Sequence, residues 1–490
     1  MSRFSAGAQT YFSLIAELNG RFAPLRSTNA PSIDRPVLST GFGAKLLVVM
    51  AVVAVAFGAW ANWHDFENAI DTLRTCFFGI AYTTTGQLLL LINAAMLIWQ
   101  IILVSAYRPS PTCSDEQLPS CTVIVPAYNE GRMVLRTLRS IARSDYPAAK
   151  LQIIAIDDGS RDDTWLWILK AARELPGIVT IKQMRNMGKK HAMYEGFREA
   201  TGDIIVTIDS DSLIEPQTLR RLVSPFHNAP GVGAVAGNVR VLNHHEGLIP
   251  RILEVSFAYS FEFIRAAQSR VRTVFCTPGA LAAYRKSALM PVVEPWLGQT
   301  FWGRSARIGE DRALTNWILR DGHDVLFQSN AIVYTNVPTT YDTLCRMFLR
   351  WARSNVRETI VMNQFIFNKF RSSSALGARI NFLHSVVNLL IPQFLLTGMV
   401  ACLLWKPDIF IMPVLLGAAI GASIPAIFYA IRRKSTNAIW SYAHSFFWVA
   451  ALSWITPYSI LTVNNDNWLT REHKAQAPTL TSTATTTAAA

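Results

Sequence analysis

The chain has 490 residues, 51% of them hydrophobic and only 16% charged, with a net charge of +13 and a mean hydropathy of +0.23. So apolar a composition excludes a wholly water-soluble globule and fits a chain that is part membrane and part aqueous. The positive balance suits anionic lipid or a phosphate-bearing ligand; there is no nucleic-acid-binding motif, and the six scattered cysteines form neither a disulfide framework nor a zinc spacing.

Residues 1–43 are polar and basic, and a stretch of that length ahead of the first apolar run argues against a cleaved signal peptide. The runs "AKLLVVMAVVAVAFGAWANW" (44–63) and "TTGQLLLLINAAMLIWQIILVSAY" (84–107) are each about long enough to span a bilayer, so 44–107 is predicted to hold two transmembrane helices. Arg21, Arg26, Arg35 and Lys45 precede the first run and Arg108 follows the second. That bias predicts a cytoplasmic N-terminus, a helical hairpin and a cytoplasmic central domain.

From 118 to 340 the long apolar runs disappear. Short strand-like segments ("CTVIVPAY", "LQIIAIDDGS", "GIVTIKQM", "DIIVTIDSDS", "GVGAVAGNVRVL", "DVLFQSNAIVY") are separated by helical ones such as "MVLRTLRSIARS" and "DTWLWILKAAREL". This predicts an α/β fold with a mostly parallel sheet covered on both faces. In such sheets ligands bind beyond the carboxyl ends of the strands, where each apolar run breaks into polar residues.

Those breaks carry the chemistry. "PAYNE" (126–130) offers Tyr128 and Glu130, and "DDGS" (157–160) offers Asp157 and Asp158 before a turn glycine. Asp162 and Asp163 read as helix caps. "NMGKKHAM" (186–193) pairs a glycine with Lys189 and Lys190, a pattern that leans towards phosphate contact. In "DSD" (209–211), Asp209 and Asp211 lie two apart in an extended segment and can converge on one hard cation. Carboxylates at the end of a buried strand need such positive compensation. "GEDRAL" (309–314) opens a helix, so Glu310 and Asp311 either favour its N-terminus electrostatically or supply a general base. Residues 247–269 read as an amphipathic helix packed under the site, and Cys276 as a packed thiol. His191, His244 and His245 read as solvated or hydrogen-bonded side chains rather than metal ligands.

The segment 341–375 reads as interface helices: "FLRWARSNVRE" (348–358) sets Arg350, Arg353 and Arg357 on a basic flank beside Trp351, shortly before the chain turns apolar again. A C-terminal membrane region over 376–463 has three candidate spans, 378–404, 409–430 and 437–463. The tail after 464 ends in low-complexity sequence and is expected to be disordered.

Taken in order, "VIVPAYNE", "IIAIDDGSRDDT", "NMGKKHA", "IDSDS", "CTPGALAAYR", "GEDRALTNWIL" and "RWARSNVRE" resemble the membrane-integrated family 2 glycosyltransferases. The likeness spans residues 45–471 and is greatest to hyaluronan synthases and rhizobial nodulation chitooligosaccharide synthases, with cellulose synthases more distant. It implies a GT-A-type sheet domain inserted between transmembrane helices, with amphipathic interface helices, in a multi-pass protein of the bacterial inner membrane. It implies that Tyr128, Glu130 and Asp157 hold the base and ribose of a nucleotide-sugar donor, with Lys189 and Arg350 at the diphosphate. Asp209 and Asp211 would hold the nucleotide and Mg²⁺ or Mn²⁺, and Asp311, beside Glu310, would be the base. Gly309 and Trp351 would meet the acceptor, a growing polysaccharide. The family's QxxRW motif is broken here, because Met347 stands in the glutamine position and lacks an amide. "NNDNWLTREH" (464–473) resembles a segment that closes over the active site, through Trp468, Thr470 and Arg471. A cytoplasmic tail of that kind conflicts with a full crossing by 437–463, since the basic loop 431–436 should also be cytoplasmic. The expectation is that 437–463 does not cross fully. The implied activity is processive transfer from UDP-GlcNAc, with or without UDP-glucuronate, and export through the protein's own helices, with any export partner unspecified. The rival expectations are non-processive transfer to an oligosaccharide or lipid carrier, a GDP-sugar donor, and an inactive transferase domain that only binds.

Overall fold

The computed structural model describes residues 41–465 apart from Phe77. Helix α1 (Gly41–Ala61), a short amphipathic helix Trp63–Arg74 and helix α2 (Gly79–Ala106) lead into the sheet domain. Among the described residues four helices are long and apolar enough to cross a membrane: α1 and α2 before the sheet, and two that follow it. The side chains of α1 and α2 are mostly exposed in the isolated chain. A helix that is apolar all round needs a lipid or protein neighbour on every side.

The sheet is built from β1 (Cys121–Ala127), β2 (Leu151–Asp157), β3 (Ile178–Lys182), β4 (Ile204–Thr207), β5 (Leu213–Ile214), β6 (Val232–Val241), β7 (Ala282–Arg285) and β8 (Asp324–Thr335). Their order across the sheet is β3-β2-β1-β4-β7-β6-β8-β5. β3, β2, β1 and β4 run parallel, as do β6 and β8. β7 lies antiparallel between β4 and β6, and β5 pairs antiparallel with the end of β8. Six of these strands match the sequence expectation. The other two are short: β7 lies within "CTPGALAAYR", and β5 has only two residues.

β1 shows why both faces must be covered. Its side chains alternate, so Val123 and Val125 enter one core with Leu138 and Ile168, while Ile124 enters the other with Ile154, Ile156 and Phe197. Each fully buried aliphatic side chain stabilises the fold by about 1.5–3 kcal/mol. The register Ala127↔Asp157 and Thr207↔Ile124 ends β2, β1 and β4 on one edge, where the polar breaks gather.

Helix α3 (Lys189–Glu199) follows β3, and α4 (Glu310–Arg320) precedes β8. The expected amphipathic helix over 247–269 is interrupted: α-helix Leu248–Phe257 passes into a π-helical turn, Ala258–Ile264, before resuming at Arg265. After β8 come α5 (Tyr341–Asn363), which carries the Arg-Trp motif, then α6 (Leu376–Trp405) and α7 (Pro407–Arg433). Arg432 and Arg433 of α7 pair with buried Glu262 of the π turn, at 2.7 Å from Arg432 Nε and 3.1 Å from Arg433 Nη2. The segment 437–463 is not one long helix. It breaks into 3₁₀-helix Thr436–Ile439, α-helix Trp440–Phe447, π turn Trp448–Leu452 and α-helix Ile455–Leu461. Pro457 sits in the first turn of the last piece, where its missing N–H costs nothing. Trp468, Thr470 and Arg471 lie outside the described residues.

Candidate active site

One cavity of about 1770 Å³ runs along the carboxyl edge of the sheet and down to α7 and the broken segment beyond it. Tyr128, Lys189, Asp209, Asp211, Gly309, Glu310, Asp311, Met347, Arg350 and Trp351 all line it. Residues expected to act together from positions more than two hundred apart in sequence thus share one space. Asp157 and Glu130 do not line it. Asp157 is fully buried; its Oδ1 accepts the Ser160 N–H at 3.2 Å. Glu130 accepts the Ser210 hydroxyl at 3.0 Å, tying the first strand break to the DSD segment.

The carboxylate that reaches the cavity from β2 is Asp158. It accepts the backbone N–H groups of Met187 and Gly188 at 2.8 and 2.9 Å, holding the loop that leads into α3. Burial pushes its pKa up to about 6. The doubled aspartate was the only sequence signal for it, and nothing in "DD" says which one leaves the strand.

Lys189 opens α3 and is the electrostatic hub. Its Nζ donates to Asp209 Oδ1 at 2.5 Å and lies 3.0 Å from Glu310 Oε1. Burial alone would lower the ammonium's pKa, but Asp209 and Glu310 more than offset it, so the group stays charged. The close fit depends on Gly279, where an added Cβ would stand 2.6 Å from Lys189 Nζ. For Lys190, whose Nζ lies over the Trp296 ring, burial and then Arg357 outweigh the opposing charges of Glu358 and Glu310 and lower its pKa to about 8.

Glu310 and Asp311 begin α4 and titrate in opposite directions. Burial opposes ionisation of Glu310, but Lys189 and Arg350 outweigh it and lower its pKa. Asp311 is raised, first by burial and then by the charge of Glu310. Its Oδ2 accepts the Gly279 N–H at 3.3 Å and faces the Cys276 thiol at 3.6 Å. Burial and Asp311 push that thiol up to about 12, so it remains protonated. Two neighbouring carboxylates pushed apart in this way are a recurrent sign of divided roles.

Helix α5 fixes the position of α4. Gly309 caps α4 with φ +68°, and an added Cβ would lie 1.7 Å from Ser354 Oγ of α5. One turn further, fully buried Glu358 accepts from Gln299 Nε2 at 3.1 Å, Asn316 Nδ2 at 2.9 Å and Arg357 Nε at 2.9 Å. Arg357 also donates to the Ile308 carbonyl. On the cavity side of α5, Trp351 packs against Phe257, Phe261 and Phe348, with ring centroids 6.0, 6.5 and 5.8 Å away. Of this aromatic wall the sequence spacing already put Trp351 and Phe348 on one face of the helix, and left out Phe257 and Phe261. Phe257 and Phe261, four apart, were the readable hint.

The DSD carboxylates fit a divalent cation. Both line the cavity, and Asp209 already faces one positive group. Among the described residues no cluster of three or more His, Cys, Asp or Glu side chains gathers as a ligand set. A cation bound by one or two carboxylates and completed by substrate phosphates and water has the donor set that magnesium prefers.

The comparisons agree with this geometry. A model of the glycosyltransferase-like family 2 matches residues 119–354. An N-acetylglucosaminyltransferase of Mesorhizobium japonicum is 30% identical over 368 residues, covering 74% of this chain and 84% of its own. One of Azorhizobium caulinodans is 31% identical over 358 residues, covering 72% and 88%. The chain belongs to glycosyltransferase family 2. Its sheet domain is GT-A-like, flanked by the four apolar helices. A mannosyltransferase from Pyrobaculum calidifontis, solved with GDP-Man and Mn²⁺, has the same fold at a TM-score of 0.51 and 21% identity, over 73% of this chain and 98% of that one. As a family 2 enzyme it transfers sugar from a nucleotide-sugar donor, and its apolar helices suit integration in a bilayer.

Proposed function

We propose that this glycosyltransferase is an inverting polysaccharide or oligosaccharide synthase of the inner membrane, using UDP-GlcNAc alone or alternating with UDP-glucuronate. The observation that carries the reading is the continuity of the cavity from Lys189, Asp209 and Asp211, past Asp311, to an aromatic wall among the helices. The rhizobial relatives are named N-acetylglucosaminyltransferases, which supports GlcNAc as the donor sugar. In this reading 44–107 and 376–463 are the membrane regions, 118–340 is the cytoplasmic catalytic body, and 341–375 lies at the interface.

Tyr128 and Asp158 would border the nucleoside, with Asp157 and Glu130 bracing the loops behind them. Lys189 and Arg350 would face the diphosphate. A Mg²⁺ or Mn²⁺ held by Asp209 and Asp211 would add positive charge at the leaving diphosphate. Asp311 would accept the proton of the acceptor hydroxyl as that oxygen attacks the anomeric carbon from the side opposite the nucleotide. The sugar–phosphate bond breaks in the same displacement, so the configuration inverts. Trp351 would stack on the acceptor sugar, and Met347 gives the wall beside it an apolar surface where the family motif has an amide.

Asp311 must be ionised to act, so its raised pKa places the acid limb of the rate profile above the usual aspartate range. Glu310→Gln removes a charge that holds it up, and the limb is expected to move to lower pH. An unmoved limb in kcat/KM would mean that another group controls it.

A donor screen tests the whole reading. Full-length protein in lipid would be offered UDP- and GDP-sugars singly and in pairs with Mg²⁺ or Mn²⁺, and nucleotide release and product size would be followed. Polymer or oligomer from UDP-GlcNAc alone supports a chitin-type product, and a requirement for UDP-glucuronate supports hyaluronan. Turnover of a GDP-sugar alone would overturn the donor assignment.

A further inference from the structure

The membrane-side end of the cavity holds side chains that the transfer chemistry leaves unused. Both π-helical segments among the described residues, Ala258–Ile264 and Trp448–Leu452, border it, through Ser260, Phe261 and Ile264 on one side and Trp448 and Val449 on the other. π turns inside helices are frequent at functional sites. The rings connect stepwise: Trp351 meets Phe348 at 5.8 Å, Phe348 meets Trp448 at 5.3 Å, and Trp448 meets His444 at 6.1 Å. Gly421, Ala422 and Pro425 of α7 line the cavity with small side chains.

His444 is the polar group left over in this wall. The hydroxyls of Ser441 and Ser445 donate to the carbonyls of Ala422 and Ala418. His444 Nε2, in contrast, is buried without a hydrogen-bond partner among the described residues. A buried polar atom left unsatisfied costs about 1–3 kcal/mol, so a ligand that supplies the missing partner recovers that cost. The indole of Trp448 next to it offers a flat apolar face. A ring with apolar C–H faces and hydroxyl edges satisfies both groups at once, whereas a lipid acyl chain leaves Nε2 unsatisfied.

We propose that Trp448 and His444 form a saccharide subsite holding an internal sugar of the acceptor chain, set back from the unit that accepts transfer at Trp351. This rests on the glycosyl-transfer reading of the Asp311 end of the same cavity. The enzyme then prefers an oligosaccharide acceptor to a single sugar. The test uses the full chain in lipid nanodiscs with N-acetylglucosamine and chitopentaose as acceptors, comparing wild type with His444→Phe, Trp448→Ala and His444→Asn. His444→Phe and Trp448→Ala should raise KM for chitopentaose about tenfold, with a much smaller change for the monosaccharide, and should shorten the products. His444→Asn, which keeps hydrogen-bonding atoms, should recover most of the affinity. Folding of each variant is checked by its melting temperature. Equal KM for chitopentaose in wild type, His444→Phe and Trp448→Ala would overturn the proposal. Binding of chitopentaose without donor, followed by saturation-transfer NMR, decides the subsite independently. Absence of turnover with every donor then counts against the transfer reading alone.

Discussion

Asp311→Asn is expected to cut transfer by roughly 10²–10⁴-fold, the range that a positioned general base contributes, while nucleotide binding persists. The asparagine side chain keeps an oxygen for the Gly279 N–H, which Asp311 Oδ2 accepts at 3.3 Å, but it takes up no proton at neutral pH. The substitution should also leave the fold intact. An aspartate whose pKa is raised in the folded state contributes stability at low pH that is lost as pH rises, because burial and Glu310 disfavour its charge. Neutralising it therefore costs nothing by this route at pH 7, and the melting temperature should hold or rise. Binding of a fluorescent UDP analogue together with single-turnover transfer separates the outcomes. Retained turnover would remove Asp311 from the base role, and lost binding would make it a ligand of the donor.

The second large effect is on stability. Glu358→Ala removes a fully buried carboxylate that three side chains address, and leaves Arg357 and Asn316 buried beside the gap. Breaking a buried ion pair by deleting one partner typically costs about 3–5 kcal/mol. Glu358→Gln keeps the volume and one acceptor and should cost less. Thermal unfolding in lipid measures both. A melting temperature for Glu358→Ala equal to the wild type would show that the network carries no net stability.

Much of this arrangement was legible because strand ends in a parallel sheet put polar residues where ligands bind. Tyr128, Lys189, Asp209, Asp211 and Asp311 were each named from the residue type at such a break, and each lines the cavity. The choice between Asp157 and Asp158 was not legible. Asp157 remains in register with Ala127 inside the sheet, while Asp158 is the residue that steps out of it, and two identical residues give no pattern that tells them apart. β7 was missed because four residues, half of them alanine, carry too little alternation to mark a strand. The π turns depend on contacts between distant helices, which have no local period. Glu358 was noticed only as part of a resemblance. Its burial follows from Gln299 and Asn316, more than forty residues upstream.

Helix α5 carries both Trp351, on the aromatic wall of the cavity, and Ser354, against which Gly309 and hence the start of α4 is seated. In the proposed reading, the platform for the acceptor and the stop for the base would therefore be two marks on one ruler, a single turn apart. Because Trp351 and Ser354 share one helix, any displacement of α5 would carry both marks together and leave the interval between them unchanged. In that reading, alignment of base and acceptor would rest on this one rod and on the single seat it offers α4. A catalytic sheet grafted onto another enzyme's membrane helices would keep its alignment only if this rod travelled with it.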